Sequence, residues 1–177
     1  MADRREDRFE RLFGNHYPAV HAYALRRTSP DAAQDVVAET FLVAWRRLDE
    51  VPADALPWLY GVARRVLANQ RRSAERGGAL ARRLAGSTSG AAPEDPGERA
   101  GDAELVRLAL GRLPEPSREA LMLVAWHGLS GARAARAAGC SRAAFALRLH
   151  RARARLAAEL AALEPPTVSN VESLEVI

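Results

Sequence analysis

The sequence predicts an all-α protein of two small helical domains joined by a flexible linker, the second a four-helix domain with a helix-turn-helix. Three observations carry that expectation. Apolar residues recur at spacings of three and four along most of the chain, with almost no alternating strand pattern. Residues 77–101 hold six of the twelve glycines together with Ser87, Thr88, Ser89, Pro93 and Pro96, the composition of a linker. Leu129 to Arg155 reads as two short helices hinged at a glycine. The domain boundaries that follow are 1–76, a linker over 77–101, 102–163, and a tail over 164–177.

Residues Asp3 to Arg27 read as a helical segment with Phe9, Leu12, Phe13, Tyr17, Val20, Ala24 and Leu25 inward, interrupted or bent near Gly14 and Pro18. Ser29 caps a second helix, with Pro30 in its first turn, that runs to Leu48. Val37, Phe41, Trp45 and Leu48 have core spacing on it. Asp31, Asp35 and Glu39 form a stripe beside them. The helix dipole is a sufficient reason for Asp31 and Asp35. Glu39 lies too far along to profit, which leaves a basic partner surface as the second reading.

Asp49 to Ala55, with two acids and Pro52, is a loop. The next helix, Leu56 to Glu75, turns Leu59, Val62, Ala63, Val66 and Gln70 inward and aligns Gly61, Arg65, Asn69, Arg72 and Arg76 outside. Between Arg64 and Arg83 seven arginines stand against Glu75 alone. Such a patch suits backbone phosphate, with Trp58 and Tyr60 at its entrance either stacking on unpaired bases or filling the core. The first part of the linker, Ala79 to Ala85, can extend the helix.

In the second domain Asp102 caps a helix with Leu105, Leu108 and Ala109 that breaks at Gly111 and Pro114. Another follows Pro116-Ser117, carries Leu121, Val124 and Ala125, and ends at Gly128. Ser130 then caps Gly131 to Ala138, Gly139 supplies a left-handed turn, and Ser141 caps the last helix. Phe145, Leu149, Ala152, Leu156, Leu160 and Leu163 share its buried face. Opposite Phe145 lie Ala143, Leu147, His150 and Ala154, flanked by Arg142 and Arg153 on one side and Arg148, Arg151 and Arg155 on the other. A slim centre bordered by guanidinium groups fits a helix in a DNA major groove. Arginines that merely keep an exposed helix soluble are the competing explanation for any one of them.

The chain has 177 residues and a formal charge of +4, and every one of its 26 basic residues is arginine. Arginine suits phosphate and guanine recognition, although a GC-rich genome accounts for it equally. One cysteine, Cys140, excludes an internal disulfide framework and fits a reducing cytosol. The charged amino terminus is no signal peptide, and the apolar run Ala120 to Trp126 is far short of the roughly 20 residues of a membrane span. The expectation is a soluble cytoplasmic protein without membrane insertion. His16, His21, His127 and His150 have no ligand or triad spacing with Cys140 or a serine, so neither catalysis, metal nor cofactor is indicated.

Two motifs in this order resemble the small bacterial sigma factors of the extracytoplasmic-function class, in the sigma-70 family. Asp35-Val36-Val37-Ala38-Glu39-Thr40-Phe41, followed by Trp58-Leu59-Tyr60-Gly61-Val62-Ala63-Arg64, is similar to that family's promoter-melting domain. Leu113-Pro114-Glu115 with Arg118-Glu119-Ala120-Leu121, then Gly128-Leu129-Ser130, Gly139, Ser141 and Arg148 to Arg153, is similar to its carboxy-terminal domain. The resemblance covers residues 5 to 160.

The resemblance implies a factor that directs core RNA polymerase to promoters and assists melting, with no active site of its own. It gives Asp35, Glu39 and Phe41 the docking on polymerase. It gives the Asp49 to Ala55 loop with Arg64, Arg65, Asn69 and Arg72 the opening of the minus-ten element, and Arg142, Ala143, Ala146, Leu147, Arg148 and Arg151 the minus-thirty-five element. It also implies an anti-sigma partner. Ala38, Arg65 and Asn69 depart from the glutamine, asparagine and aspartate frequent there, and the alanines of Gly131 to Ala138 replace an acidic pair and larger aliphatics. That substitution leaves the second domain little apolar surface to bury. A stand-alone helix-turn-helix regulator, on a palindrome as a dimer, is the main alternative, and a protein-interaction module with incidental arginines is another. The tail is either a loose end or a regulatory segment.

Overall fold

The computed structural model describes residues 2–84 and 100–163, with side chains over 4–76 and 103–163. Seven helices and no strand occur among the described residues. The tail and the middle of the linker lie outside them.

α1 (Ala2–Leu25) runs through Gly14 and Pro18 as one helix, where an interruption or bend is expected from sequence. Packing outweighs the hydrogen bond that proline removes, because Val20, Tyr23 and Ala24 are buried just beyond it. Phe13 and Tyr17 are not core residues; they lie on a shoulder against Phe41, at 4.8 and 6.5 Å between ring centres. Tyr23 lies deeper than either, with 1% of its surface exposed.

α2 (Pro30–Arg46) begins at the expected Ser29-Pro30 junction, although the Ser29 side chain makes no capping hydrogen bond. A short 3-10 turn, Leu48–Glu50, carries the chain into the loop before α3 (Ala55–Leu84). α3 passes through Gly77 and Gly78 and extends into the segment read as linker, since no proline stops it and Ala, Leu and Arg favour helix. α1, α2 and α3 pack on one another around Val36, Val37, Phe41, Leu48, Leu59 and Val62.

α4 (Ala100–Arg112) starts earlier than expected, so Asp102 sits in its first turn and not at its cap. α5 (Glu115–Ala125) begins at Glu115, with Pro114 at its cap position, before the expected Pro116-Ser117. α6 (Gly131–Ala138) and α7 (Arg142–Leu163) have the bounds read from sequence, and Gly139 between them has φ 66°, the left-handed turn that ends α6. Ser141 Oγ accepts a hydrogen bond from the Ala144 amide at 3.2 Å, whereas Ser130 stands at the cap position without a side-chain bond.

The two domains share an interior. Leu110, Leu113, Leu121 and Ala152 make a small cluster of the second domain's own. Ala120, Leu123, Leu129, Ala134, Ala135, Ala137, Ala138 and Phe145 join the core of α1–α3 instead. α6 lies directly on α3, which corrects the outward reading of Gly61. That glycine is buried, and a Cβ on it would stand 3.5 Å from the Ala137 carbonyl oxygen. Tyr60 is buried as well, stacked on Tyr23 at 4.7 Å, and so is a core aromatic and not a platform for bases. Trp58 is half-buried against the same core.

Candidate nucleic-acid interface

Between α2 and α3 runs an open groove of about 870 Å³, with Asp35 and Glu39 on one wall and Arg65 and Asn69 on the other. Helical spacing puts both acids on the outer side of α2, and neither makes an ion pair with a described residue. Phe41 does not share that wall. It is 3% exposed and its ring meets Phe9 edge-on, so burial excludes it from direct contact with a partner. The apolar side chain presented beside the acids is Leu42, 41% exposed, which the reading of α2 omitted.

Across the groove Arg65 Nε donates to its own helix at the Gly61 carbonyl, 3.1 Å away, and leaves the rest of its guanidinium outward. Arg72 donates to Asn69 Oδ1. Arg65, Asn69 and Arg72 thus form one exposed row. Arg64, grouped with them from sequence, points elsewhere. Its Nε lies 3.9 Å from Glu119 on α5, and its Nη2 would be 2.8 Å from a Cβ on Gly139.

α7 exposes the strip that the sequence places opposite Phe145. Leu147 is 50% exposed, and Arg142, Ala143, Ala146 and Arg151 are exposed around it. Arg148 is half-buried and lines a cavity of about 350 Å³ at the seam between the domains. Phe145 and Ala152, on the opposite face, hold the helix in place.

The seam holds the polar groups that sequence reading missed. Asp54, in the loop before α3, accepts hydrogen bonds from Arg133 Nε and Nη2 at 3.1 and 2.8 Å and another from Arg136. The Arg133 hydrogen bonds and the two positive charges hold its carboxyl below the usual aspartate range. Glu119 is buried and accepts a hydrogen bond from Tyr23 Oη at 3.0 Å. Burial raises its carboxyl above the ordinary range despite Arg64 and Arg27 nearby. His127 Nδ1 stands 3.3 Å from Tyr60 Oη, and burial, with Arg27 and Arg26, lowers its pKa to about 4. Asp54 lies 79 and 82 positions from its arginines, beyond any helical or turn periodicity that a sequence pattern exposes.

Residues 12–77 match the family model of Sigma-70 region 2, and residues 103–156 match that of Sigma-70, region 4. The ECF RNA polymerase sigma factor EcfG of Rhodopseudomonas palustris is 34% identical over 147 residues, which span 81% of this chain and 80% of EcfG. This chain belongs to the ECF sigma factors. The sigma factor SigL of Mycobacterium tuberculosis is also 34% identical, over 148 residues that span 78% of this chain and 81% of SigL. Among solved structures, RpoE of Bartonella quintana, in a co-crystal with the anti-sigma factor NepR, aligns with a TM-score of 0.70 and 27% identity. The alignment covers 88% of this chain and 98% of RpoE. CnrH, in complex with the cytosolic domain of CnrY, aligns at 0.59 and 30% identity, covering 88% and 89%.

The sigma factor's region 2 thus falls on α1–α3 and its region 4 on α4–α7. As an ECF sigma factor it directs transcription initiation. Among the described residues no helix is long and apolar enough to cross a membrane, and no three His, Cys, Asp or Glu side chains could hold a metal ion.

Proposed function

We propose that this sigma factor docks on core RNA polymerase through Asp35 and Glu39 with Leu42 beside them, and works in the cytoplasm without an active site of its own. Arg65, Asn69 and Arg72, with the Asp49 to Ala55 loop, handle the minus-ten strand. Arg142, Ala143, Ala146, Leu147, Arg148 and Arg151 read the minus-thirty-five element. The working units are 1–76 and 102–163, with 77–101 running between them. The observation that carries this reading is the groove, where two acids without an ion pair among the described residues face a row of polar and cationic side chains across open surface. The acids suit a basic protein surface and the cationic row suits phosphate, so one edge of region 2 can touch polymerase and promoter together. An anti-sigma factor is the expected regulator, given that RpoE was solved with the anti-sigma factor NepR bound.

The test is size-exclusion chromatography with bacterial core RNA polymerase. The wild type co-elutes, and Asp35→Arg with Glu39→Arg elutes apart while keeping its helical circular dichroism. Co-elution of the double variant removes the acids from the docking surface. For α7, Leu147→Arg changes the rank order of promoters in transcription assays, whereas Arg151→Ala weakens all of them alike. Equal loss across promoters for Leu147→Arg means the strip does not read bases.

A further inference from the structure

The cavity of about 350 Å³ between α3, α5 and the α6–α7 corner is separate from the groove of α2 and α3. Four arginines line it: Arg27 just beyond α1, Arg64 and Arg71 on α3, and Arg148 on α7. Two carboxylates, Glu115 and Glu119 on α5, face them, which leaves two positive charges in excess. Both acids are already engaged. Glu119 accepts a hydrogen bond from Tyr23 Oη at 3.0 Å, and Glu115 pairs with Arg71 at 3.2 Å and with Arg118 at 3.4 Å.

The cations are not fully used. Arg27 Nη1 donates to the Tyr23 carbonyl at 2.9 Å, but its Nη2 is shut off from solvent and makes no hydrogen bond among the described residues. Arg64 Nε is placed likewise, since the Glu119 carboxylate stands 3.9 Å away, beyond hydrogen-bond reach. Arg148 forms no ion pair with a described residue. A buried charged donor left without an acceptor costs free energy, and a ligand that accepts from it recovers that cost. Gly139 gives Arg64 its room. Arg64 Nη2 lies 2.8 Å from where a Cβ would stand, so the glycine that turns the chain at φ 66° also leaves space for the guanidinium.

We propose that this cavity binds a small phosphorylated anion, with Arg27, Arg64 and Arg148 donating to its phosphate oxygens and the exposed Arg71 beside them. Guanidinium groups suit phosphate because their planar forks donate in pairs to its oxygens. A phosphate brings three strong acceptor oxygens and a charge near −2, which match several free donors and the two excess charges better than a carboxylate does. The volume is at the small end of ligand cavities, roughly 300–1,000 Å³, and admits a phosphate on a short carrier. No aromatic face is open to the ligand. Tyr23 is 1% exposed, covered by the Tyr60 ring at 4.7 Å and the Arg27 guanidinium at 3.6 Å. The cavity therefore recognises the phosphate and not a nucleobase. Binding here is independent of the polymerase and promoter roles, although Arg148 also borders the exposed strip of α7.

The experiment is isothermal titration calorimetry of the full chain with pyrophosphate, orthophosphate and glycerol 2-phosphate, in chloride buffer of fixed ionic strength and without DNA. One saturable site per chain is expected. Arg64→Gln should weaken pyrophosphate binding about tenfold or more, because a charge-assisted hydrogen bond and its positive charge are lost together. Arg148→Gln should weaken it severalfold without breaking any ion pair. Arg153→Gln removes the same charge from an exposed part of α7 outside the cavity and should leave the affinity as it is. Tighter binding of glycerol 2-phosphate than of orthophosphate assigns the cavity to a phosphate ester, and the opposite order assigns it to the free inorganic ion. No saturable binding of any of the three overturns the proposal. So does an affinity that Arg64→Gln and Arg153→Gln change to the same extent, or not at all. Should Arg64→Gln lose helical circular dichroism, Arg148→Gln decides, and unchanged affinity in that variant means that the cavity is not the site.

Discussion

Region 2 and region 4 are built from different materials. α1–α3 close over Tyr23, Phe41, Leu48, Leu59 and Tyr60, large side chains that remove much apolar surface from water within one three-helix unit. α4–α7 have Leu110, Leu113, Leu121 and Ala152 as their own cluster and spend the α6 alanines on the other domain. A helix faced with alanine adds little burial, but it lets backbones come close, as the Gly61–Ala137 contact shows. Region 4 gains by leaning on region 2, and region 2 owes it little.

That asymmetry can be broken most forcibly at Phe145, which is 1% exposed. Phe145→Ala should cost about 3–5 kcal/mol and melt α4–α7 well before α1–α3 in thermal unfolding followed by exchange or proteolysis. One cooperative transition shared by both domains would show that the dependence runs both ways. Gly61→Leu should act at the contact itself. The added side chain meets the Ala137 carbonyl, costing about 1–3 kcal/mol of docking, while a helix former replaces glycine inside α3 and stabilises it by about 1 kcal/mol. Region 2 should therefore melt slightly later and region 4 earlier, and equal shifts in the two would argue against a wedge at that point.

Acid sharpens the comparison further. His127 is neutral at the seam with its pKa near 4, against about 6.5 in an unfolded chain, so the unfolded state binds the proton first. Its contribution is intact above about pH 6.5 and is lost progressively as pH falls toward 4. Glu119, raised by burial, works in the opposite sense, since protonation favours its folded form. Tyr23 and Tyr60 face His127 from α1 and α3 and stay neutral throughout, while Arg26 and Arg27 stay charged. The melting temperature of the wild type should drop between pH 6.5 and 4 more steeply than that of His127→Gln, and parallel profiles would exclude His127 as the cause. The smallest effect separates two serines of the helix-turn-helix. Ser141→Ala should cost about 1 kcal/mol for its lost cap, and Ser130→Ala much less, because only Ser141 bonds an amide in this fold.

Much of the local structure was legible because it depends on neighbours in the chain. The α6–Gly139–α7 turn, the free Leu147 strip and the unpaired Asp35–Glu39 edge all follow from spacing and capping chemistry. Spacing could not say what would cover a helix. Gly61 shares its stripe with Arg65 yet is buried, and Arg64, adjacent to Arg65, turns to Glu119. Phe41 was read both as core and as docking residue, and its 3% exposure decides for core.

By itself the sequence determined the helical class, the two units, the helix-turn-helix and the family, since periodicity, caps and motif order are properties of contiguous residues. Only the tertiary structure decided that the two units close on each other, with Asp54 on Arg133 and Arg136 and Glu119 beneath Tyr23. The physical reason is separation: these pairs join residues 79 to 96 positions apart, and their strength comes from burial and charge alignment that exist only once α6 lies on α3.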